Sequence, residues 1–193
     1  MQYDLETTDV SLDLFGSAQS KLIDDKITKN KEKPFLLMLR ASTSAKNFLI
    51  SKNARAITIF IGKGNNGEDG LCLAALLKIE NVKTHIIDLE YKNRCESQAY
   101  RLCNDLGVEV GRFNATKIPK SDWYVDALFG IGLNRDIKGD YLRAINFLQR
   151  SKSKRILSLD LPSGLDGSKG IIFNNAVKAT TTITFLTIKP GLF

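Results

Sequence analysis

The sequence is poor in cysteine, with three in 193 residues: Cys72, Cys95 and Cys103. Their odd number argues against a complete disulfide framework, and their spacing matches no zinc-binding pattern. We therefore expect a protein of the reducing cytoplasm whose cysteines serve packing rather than metal binding.

Long apolar runs are also missing. A membrane-spanning helix needs roughly 18 consecutive apolar residues, whereas the apolar runs at residues 57–61 and 71–77 have the size of core elements. The N-terminus is acidic and lacks the basic-then-apolar opening of a secretory signal. We expect no membrane partner.

Histidine occurs once, as His85 within a predicted strand. A nucleophile–base pair of His85 with Ser163 would need a coincidence of the fold, and no GxSxG elbow surrounds Ser163. His85 is therefore interpreted as a residue of the sheet, and serine hydrolase chemistry is not expected.

Basic residues exceed acidic ones by 28 to 21, a formal net charge of +7. Such an excess can attract polyanions, but these bases are scattered and do not alternate with aromatic residues as in single-strand binding surfaces. The first 25 residues are instead acidic, with six Asp or Glu and one Lys. We expect no nucleic-acid partner.

The order of sequence patterns predicts an α/β fold. Apolar, β-branched stretches typical of strands occur at residues 55–61, 83–89, 122–128, 154–159 and 180–187, and amphipathic stretches typical of helices at 68–79, 94–106 and 141–149. Two further helices are predicted at residues 17–30 and from Pro34 to Phe48. Strands alternating with helices imply a mostly parallel sheet covered on both faces. We expect one domain, residues 1–193, with two N-terminal helices.

Three polar, glycine-rich loops follow the predicted strands, at residues 62–70, 126–136 and 160–167. The carboxyl ends of parallel strands lie along one edge of a sheet, where ligands bind. We therefore expect the three loops to form one site. Each also has a purely structural interpretation: a tight strand-to-helix turn, a capping role for Asp126, and a rigid turn around Pro162.

The first loop, Gly62-Lys63-Gly64-Asn65-Asn66-Gly67, matches the GxGxxG dinucleotide pattern, and Asp88 lies where a ribose-binding acid would sit. Since Glu68 stands where a P-loop requires lysine, a P-loop is excluded. The two asparagines favour a ligand cradle over a plain turn. An NAD-dependent oxidoreductase remains an alternative, although the chain has no room for a second domain with the hydride acceptor.

Apart from the amide nitrogen of the asparagine, the candidate side chains of the loops carry only oxygen atoms as polar groups: Asn66, Asp126, Asp160 and Ser163. Carboxylate, hydroxyl and amide oxygens suit hard cations or proton transfer rather than soft metals.

Taken together, the loops resemble the motifs of the YjeF N-terminal domain family, the NAD(P)HX epimerases. These motifs are GxGNNGGDG at residues 62–70, DAxFGxGxxR at 126–135 and DxPSGxD at 160–166, with a weaker TFxxxKxGL at 184–192. The resemblance covers nearly the whole chain. It implies a Rossmann-like three-layer α/β/α sandwich that interconverts the R and S forms of hydrated NADH or NADPH (NADHX or NADPHX).

The resemblance also implies individual roles. A potassium ion would be held by Asn66, Asp126 and Ser163. The substrate would be bound by residues of all three loops: Asn65, Asn66, Gly67, Glu68, Asp69, Gly130, Ile131, Gly132, Leu133, Asn134, Arg135, Asp136 and Asp160. Relatives are often homodimers, and many carry an NAD(P)HX dehydratase domain. We therefore expect a homodimer that works beside a separate dehydratase.

Catalysis is assigned to Asp126 and Asp160. Asp160 is the better candidate for proton transfer, because a carboxylate that holds a cation stays ionised. The chain departs from the family pattern at three positions: Glu68 replaces a glycine, Leu39 a glutamate and Ser42 a glycine. The departures at Glu68 and Leu39 leave a second interpretation open. The chain also ends at Phe193, where relatives continue. The alternative is a nucleotide-binding or interaction protein of the same fold that has lost turnover.

Overall fold

The computed structural model describes residues 13–29, 34–92, 96–150 and 155–193. The helices are α1 (Ser17–Lys29), α2 (Pro34–Ser51), α3 (Asn65–Ile79), α4 (Gln98–Asp105) and α5 (Gly139–Gln149). The strands are β1 (Ala56–Ile61), β2 (Lys83–Asp88), β3 (Glu109–Arg112), β4 (Trp123–Ala127), β5 (Arg155–Leu159) and β6 (Thr181–Ile183), and Pro190–Leu192 form a 3-10 turn. Among the helices of these ranges, none is long and apolar enough to cross a membrane.

The six strands form one sheet in the order β3-β2-β1-β4-β5-β6, and every pairing in it is parallel. The order reverses between β1 and β4. The chain moves outward from β1 to β3, then returns to the centre at β4 and moves outward on the other side. Loops that leave neighbouring strands in opposite directions open a crevice between them. The predicted parallel sheet is confirmed, and its crevice lies between the first two of the three loops.

Each face of the sheet has its own hydrophobic core. On one face Leu49 of α2 and Leu73 of α3 pack with Ile59 of β1. On the other face Phe60 of β1 packs with Ile145 of α5. All five side chains are fully buried. Burial of alternate residues on opposite faces explains why β1 is apolar in the sequence except for Thr58. The predicted three-layer α/β/α sandwich is confirmed.

Helix α1 is attached to the segment that follows β6. The hydroxyls of Ser20 and Thr187 lie 2.6 Å apart, and both residues are buried. The N–H of Ser17 donates to the hydroxyl of Ser168 at 2.7 Å. These contacts hold α1 beside the carboxyl edge of the sheet.

Two strands differ from their sequence-based predictions. Strand β3 was not expected, because Val110 is the one large apolar residue within it. Such a composition is typical of a short strand at the edge of a sheet. Strand β6 ends at Ile183 instead of extending to residue 187. Beyond it Leu186 adopts a φ of +58°, a left-handed conformation that breaks an extended strand.

Helix boundaries differ by a few residues. Helix α3 begins at Asn65 rather than residue 68, so the two asparagines lie in its first turn. Helix α4 begins at Gln98, where the hydroxyl of Ser97 accepts the N–H of Tyr100 at 3.0 Å and caps the helix. Parts of three predicted elements lie outside the described residues. These are residues 94–95 of the helix predicted at 94–106, residue 30 of the helix predicted at 17–30 and residue 154 of the strand predicted at 154–159.

Candidate active site

The first two loops close on each other through glycines. A Cβ at Gly62 would lie 2.0 Å from the carbonyl oxygen of Leu128, and a Cβ at Gly67 would lie 2.1 Å from that of Gly62. Only glycine permits backbone approaches this close. The start of α3 is therefore pressed against the loop after β4, at the crevice where the strand order reverses.

A cleft of about 1920 Å³ opens at this edge of the sheet. Members of all three predicted loops line it, together with residues from α1, α2 and the segment after β6. The structure thus brings together the loops that the sequence predicted to meet, and adds residues of α1, α2 and the segment after β6.

Asp126 lies beneath the cleft and is fully buried. One carboxylate oxygen accepts the hydroxyl of Ser158 and the N–H of Ser163, each at 2.8 Å. The other accepts the hydroxyl of Ser163 at 2.5 Å and the N–H of Leu128 at 3.3 Å. Burial raises the pKa of Asp126, and these donors oppose the rise because they stabilise the ionised form. The carboxylate therefore ties the second loop to the third.

Asn66 faces the same buried region. Its Nδ2 donates to the carbonyl oxygen of Phe129 at 2.9 Å, and the N–H of Phe129 donates to the hydroxyl of Ser163 at 2.9 Å. The Oδ1 of Asn66 is buried and has no hydrogen-bond partner among the described residues. A buried amide oxygen without a donor is costly, and a cation would satisfy it.

The oxygen atoms around this buried region suit a hard monovalent cation as ligands. Asn66, Asp126 and Ser163 offer amide, carboxylate and hydroxyl oxygens, and the Phe129 carbonyl adds a fourth. In the described part of the chain, no group of three or more His, Cys, Asp or Glu residues could hold a metal ion. A transition-metal centre is therefore not formed by these residues.

Asp160 lies at the end of β5 in a left-handed conformation, with a φ of +64°. One carboxylate oxygen is in contact with the ammonium of Lys189, which is 2% exposed. That ammonium also donates to the hydroxyl of Thr184 at 2.9 Å and to the carbonyl of Phe185 at 2.8 Å. The turn that ends β6 thus wraps around a buried lysine and holds Asp160 at the cleft.

Sequence reasoning did not assign Lys189 to the site. The residue belongs to the fourth, weaker motif, and that membership was the available signal. A buried lysine paired with a carboxylate in a cleft is the kind of arrangement found at functional sites.

Two further acids face the cleft near Asp160. Burial and the charges of Asp160, Asp24 and Glu68 raise the pKa of Asp69 well above its ordinary value. Burial and the charges of Asp25 and Asp160 also raise the pKa of Asp24. Asp24 belongs to the acidic segment noted in the sequence, which helix α1 brings to the site.

The remaining predicted binding residues divide into two groups. Those that line the cleft are Asn65, Asn66, Asp69, Gly130, Ile131, Gly132, Leu133, Asn134, Arg135, Asp136 and Asp160. Gly67 and Glu68 do not line it. Gly67 is packed against Gly62, and the charge of Glu68 acts on the buried thiols of Cys72 and Cys103.

The departures from the family pattern also lie away from the cleft. Leu39 is not among its lining residues, whereas its neighbours Met38 and Arg40 are. Ser42 is fully buried and donates to the carbonyl of Asp69 at 2.8 Å. Leu39 and Glu68 thus do not line the cleft, although the charge of Glu68 acts on Asp69, and Ser42 adds a hydrogen bond between α2 and α3.

Asp88, the candidate ribose-binding acid, lies away from this cleft and beside a separate smaller pocket. It is 1% exposed, it does not line the cleft, and it accepts the N–H of Glu90 at 2.8 Å within its own turn. His85 lies on β2, with Nδ1 2.8 Å from the carboxylate of Glu109 on the edge strand. Burial raises the pKa of Cys72 and of Cys103 to about 12, so both thiols are inert. Cys95 lies outside the described residues.

Comparison with known proteins supplies the family. The model of the family described as "YjeF-related protein N-terminus" matches residues 14–191. The chain is 34% identical over 181 residues to an NAD(P)H-hydrate epimerase of Lentilactobacillus buchneri, covering 90% of this chain and 83% of that protein. It is 32% identical over 164 residues to an NAD(P)H-hydrate epimerase of Limosilactobacillus reuteri, covering 81% and 76%.

A longer relative and a solved structure complete the comparison. The chain is 30% identical over 185 residues to the bifunctional NAD(P)H-hydrate repair enzyme Nnr of Coxiella burnetii, covering 93% of this chain but 38% of that protein. The crystal structure of yeast ynu0, YNL200c, superposes with a TM-score of 0.83 at 21% identity, covering 94% of this chain and 83% of the yeast chain. That likeness supports the fold alone.

Proposed function

The chain belongs to the YjeF-related N-terminal family, as its loop motifs indicated, and from this membership we propose that it is an NAD(P)H-hydrate epimerase, an isomerase of cofactor repair. The observation that carries the proposal is the meeting of the three loops on one cleft, with Asn66, Asp126, Ser163 and Asp160 at its base. The substrate is NADH or NADPH hydrated on the nicotinamide ring.

Binding of the dinucleotide is proposed for the glycine-rich walls of the cleft. The first turn of α3 presents backbone N–H groups whose dipole favours phosphate oxygens. Lys63 and Arg135 line the same cleft and add positive charge. Asn65, Asn66, Asp69, residues 130–136 and Asp160 contact the substrate from the cleft wall, and Gly67 and Glu68 contribute through the fold of the turn.

The reaction inverts the carbon that bears the hydroxyl, next to the ring nitrogen. Loss of water leaves a cation that the nitrogen lone pair stabilises, and return of water to the other face gives the second epimer. The protein must protonate the departing hydroxyl and accept a proton from the incoming water. Asp160 is proposed for proton transfer, because its carboxylate lies at the cleft while Asp126 is buried beneath it.

We propose that Asn66, Asp126 and Ser163 hold a potassium ion. The unpartnered Oδ1 of Asn66 supports this assignment, as does the all-oxygen donor set. When bound, the ion would supply fixed positive charge and tie the loops after β1, β4 and β5 together. Asp126 then serves as a ligand and orients Ser163.

One assay tests the activity. A single purified epimer of hydrated NADH is mixed with the folded protein in potassium buffer, and epimer loss is followed by chromatography. We expect acceleration over the spontaneous rate, and a loss of about 10²–10⁴-fold in kcat for Asp160→Asn. No acceleration by the wild-type protein would instead support a binding protein that has lost turnover.

The cation is tested separately from activity. Potassium should raise the melting temperature more than lithium does at equal ionic strength, since a bound ligand stabilises the folded state. The increment should disappear in Asn66→Ala and persist in Asn65→Ala, whose side chain is exposed and adjacent. An equal increment for both variants would refute the assignment of Asn66.

We also propose a cytoplasmic homodimer. Leu22 of α1 and Leu36 of α2 are 60% and 46% exposed, and an interface between copies would cover them. The bifunctional name of the Coxiella burnetii relative supports a working partnership with a dehydratase that consumes one epimer. Sedimentation of the purified protein tests the dimer, and a monomer at micromolar concentration would refute it.

A further inference from the structure

We propose that Asp69 is the acid that protonates the departing hydroxyl, while Asp160, paired with Lys189, receives the proton of the incoming water. This inference rests on the proposed epimerase function and divides its two proton transfers between two carboxyl groups. Sequence reasoning assigned Asp69 to binding and gave proton transfer to Asp160.

The position of Asp69 suits a proton donor. It lies in the first turn of α3 and lines the cleft, and its carbonyl oxygen accepts the hydroxyl of Ser42 at 2.8 Å. Among the described residues its carboxyl group has neither a hydrogen-bond partner nor an ion-pair partner. The backbone is therefore anchored, while the acid itself remains available to a ligand.

Asp160 has the opposite surroundings. Its carboxylate is in contact with the buried ammonium of Lys189 and also accepts the N–H of Phe185 at 3.3 Å. An ammonium at contact distance favours the charged form of a carboxylate. Asp160 is thus oriented at the cleft by a cationic partner, which Asp69 lacks among the described residues.

The charges around Asp69 keep it protonated. Asp24 faces it from α1, Asp160 from the end of β5, and Glu68 from its own helix. The bases that line the same cleft are Lys21, Arg40, Lys63, Arg135, Lys138 and Lys189. Burial and the three acids raise the pKa of Asp69 well above its ordinary value, which favours its protonated form. Two carboxyl groups held in different protonation states are a common solution for acid–base catalysis.

The steps balance without a further reactant. Asp69 gives its proton to the hydroxyl, the carbon–oxygen bond breaks with its electron pair on oxygen, and water leaves. The ring nitrogen lone pair forms the carbon–nitrogen double bond of the cation. Water then adds to the opposite face, its proton passes to Asp160, and the nitrogen regains its lone pair. Proton exchange through solvent from Asp160 to Asp69 restores the starting enzyme.

The test uses kcat and KM of the full chain with a single epimer of hydrated NADH across pH. Asp69→Asn should lower kcat by about 10²–10⁴-fold and change KM little. In the wild-type protein kcat should fall at high pH as Asp69 loses its proton, and this limb should be absent in Asp69→Asn. Asp24→Asn should move the limb to lower pH, because it removes one of the charges that hold the proton.

The matched control is Asp105→Asn, an exposed acid on α4 outside the cleft, which should leave kcat unchanged. Wild-type kcat in Asp69→Asn, or a rise in KM alone, would overturn the assignment of the acid. If Asp69→Asn does not fold, Asp69→Ser is measured instead, and the same changes in kcat and in the pH profile are expected. An inactive wild-type protein would refute the epimerase function itself, which is a separate result.

Discussion

Replacement of Lys189 by methionine should destabilise the protein by about 3 kcal/mol, the lower end of the range for removing one member of a buried ion pair. Lys189 is 2% exposed, and the side chain of Asp160 is 14% exposed, so little water can replace the lost ammonium. The N–H of Phe185 and the hydroxyl of Thr184 would remain near the carboxylate, at 3.3 and 3.4 Å. Both are long for hydrogen bonds and cannot compensate for the ammonium.

The assay is thermal and urea unfolding at pH 7. For a chain of this size each kcal/mol corresponds to roughly 2–4 °C, so the melting temperature should fall by roughly 6–12 °C. Methionine keeps most of the side-chain length, which separates the loss of charge from the loss of packing.

A second substitution isolates the charge. Asp160→Asn in the Lys189→Met background removes the carboxylate that has lost its cationic partner. Asparagine tolerates the left-handed φ of that position. The double variant should therefore be more stable than Lys189→Met by about 1 kcal/mol or more. A loss below about 1 kcal/mol for Lys189→Met, or a double variant less stable than the single one, would refute a buried ion pair as the support of this turn.

Three further predictions concern stability. Gly67→Ala should cost about 3 kcal/mol or more, since its Cβ would lie 2.1 Å from the carbonyl oxygen of Gly62; Gly132→Ala, with nothing within 4 Å of the new atom, is the control for urea unfolding. Because the pKa of Asp69 is raised in the folded protein, the folded state binds this proton more tightly than the unfolded state does. The resulting stabilisation is complete below the ordinary pKa of 3.8 and is lost as the pH rises through the folded-state pKa. Asp69→Asn should therefore melt higher than the wild type at pH 7 and not at pH values below 3.8, and a lower melting temperature at pH 7 would contradict this sign. The carboxylate of Asp122 accepts two backbone N–H groups at the start of β1, at 2.9 and 3.1 Å, and these lower its pKa. The ionised carboxylate therefore stabilises the folded protein at pH values above 3.8, and this stabilisation is lost as the pH falls through the folded-state pKa. Asp122→Ala should cost about 0.5 kcal/mol of unfolding free energy at pH 7 and nothing in strong acid. A cost that does not depend on pH would exclude the carboxylate as its cause.

The central strands could be predicted because strands covered on both faces are rich in apolar and β-branched residues. Strand β1 is apolar except for Thr58, and β2, β4 and β5 each contain a shorter apolar or aromatic stretch. Strand β3 carries Glu109 and Arg112 at its ends and lies at the edge of the sheet, where burial imposes no such pattern. The start of α3 was missed because Asn65 and Asn66 resemble loop residues, whereas Gly64 is its N-cap.

The site could be predicted in part for a topological reason. Parallel pairing sends the ends of β1, β4 and β5 to one edge, so Asn66, Asp126 and Ser163 meet there. The role of Lys189 could not be predicted in this way. It lies 29 residues beyond Asp160, and no local pattern indicates that its ammonium is buried against that carboxylate.

The α/β class, the parallel sheet and the three loops of the site follow from the sequence alone, because they depend on the local order of apolar and glycine-rich segments. Which charged groups surround each acid follows only from the folded arrangement. The ammonium of Lys189 lies against Asp160, whereas Asp69 faces Asp24 of α1 with no base in contact among the described residues. Protonation depends on burial and on distances between segments far apart in the chain, and these exist only once the chain is folded.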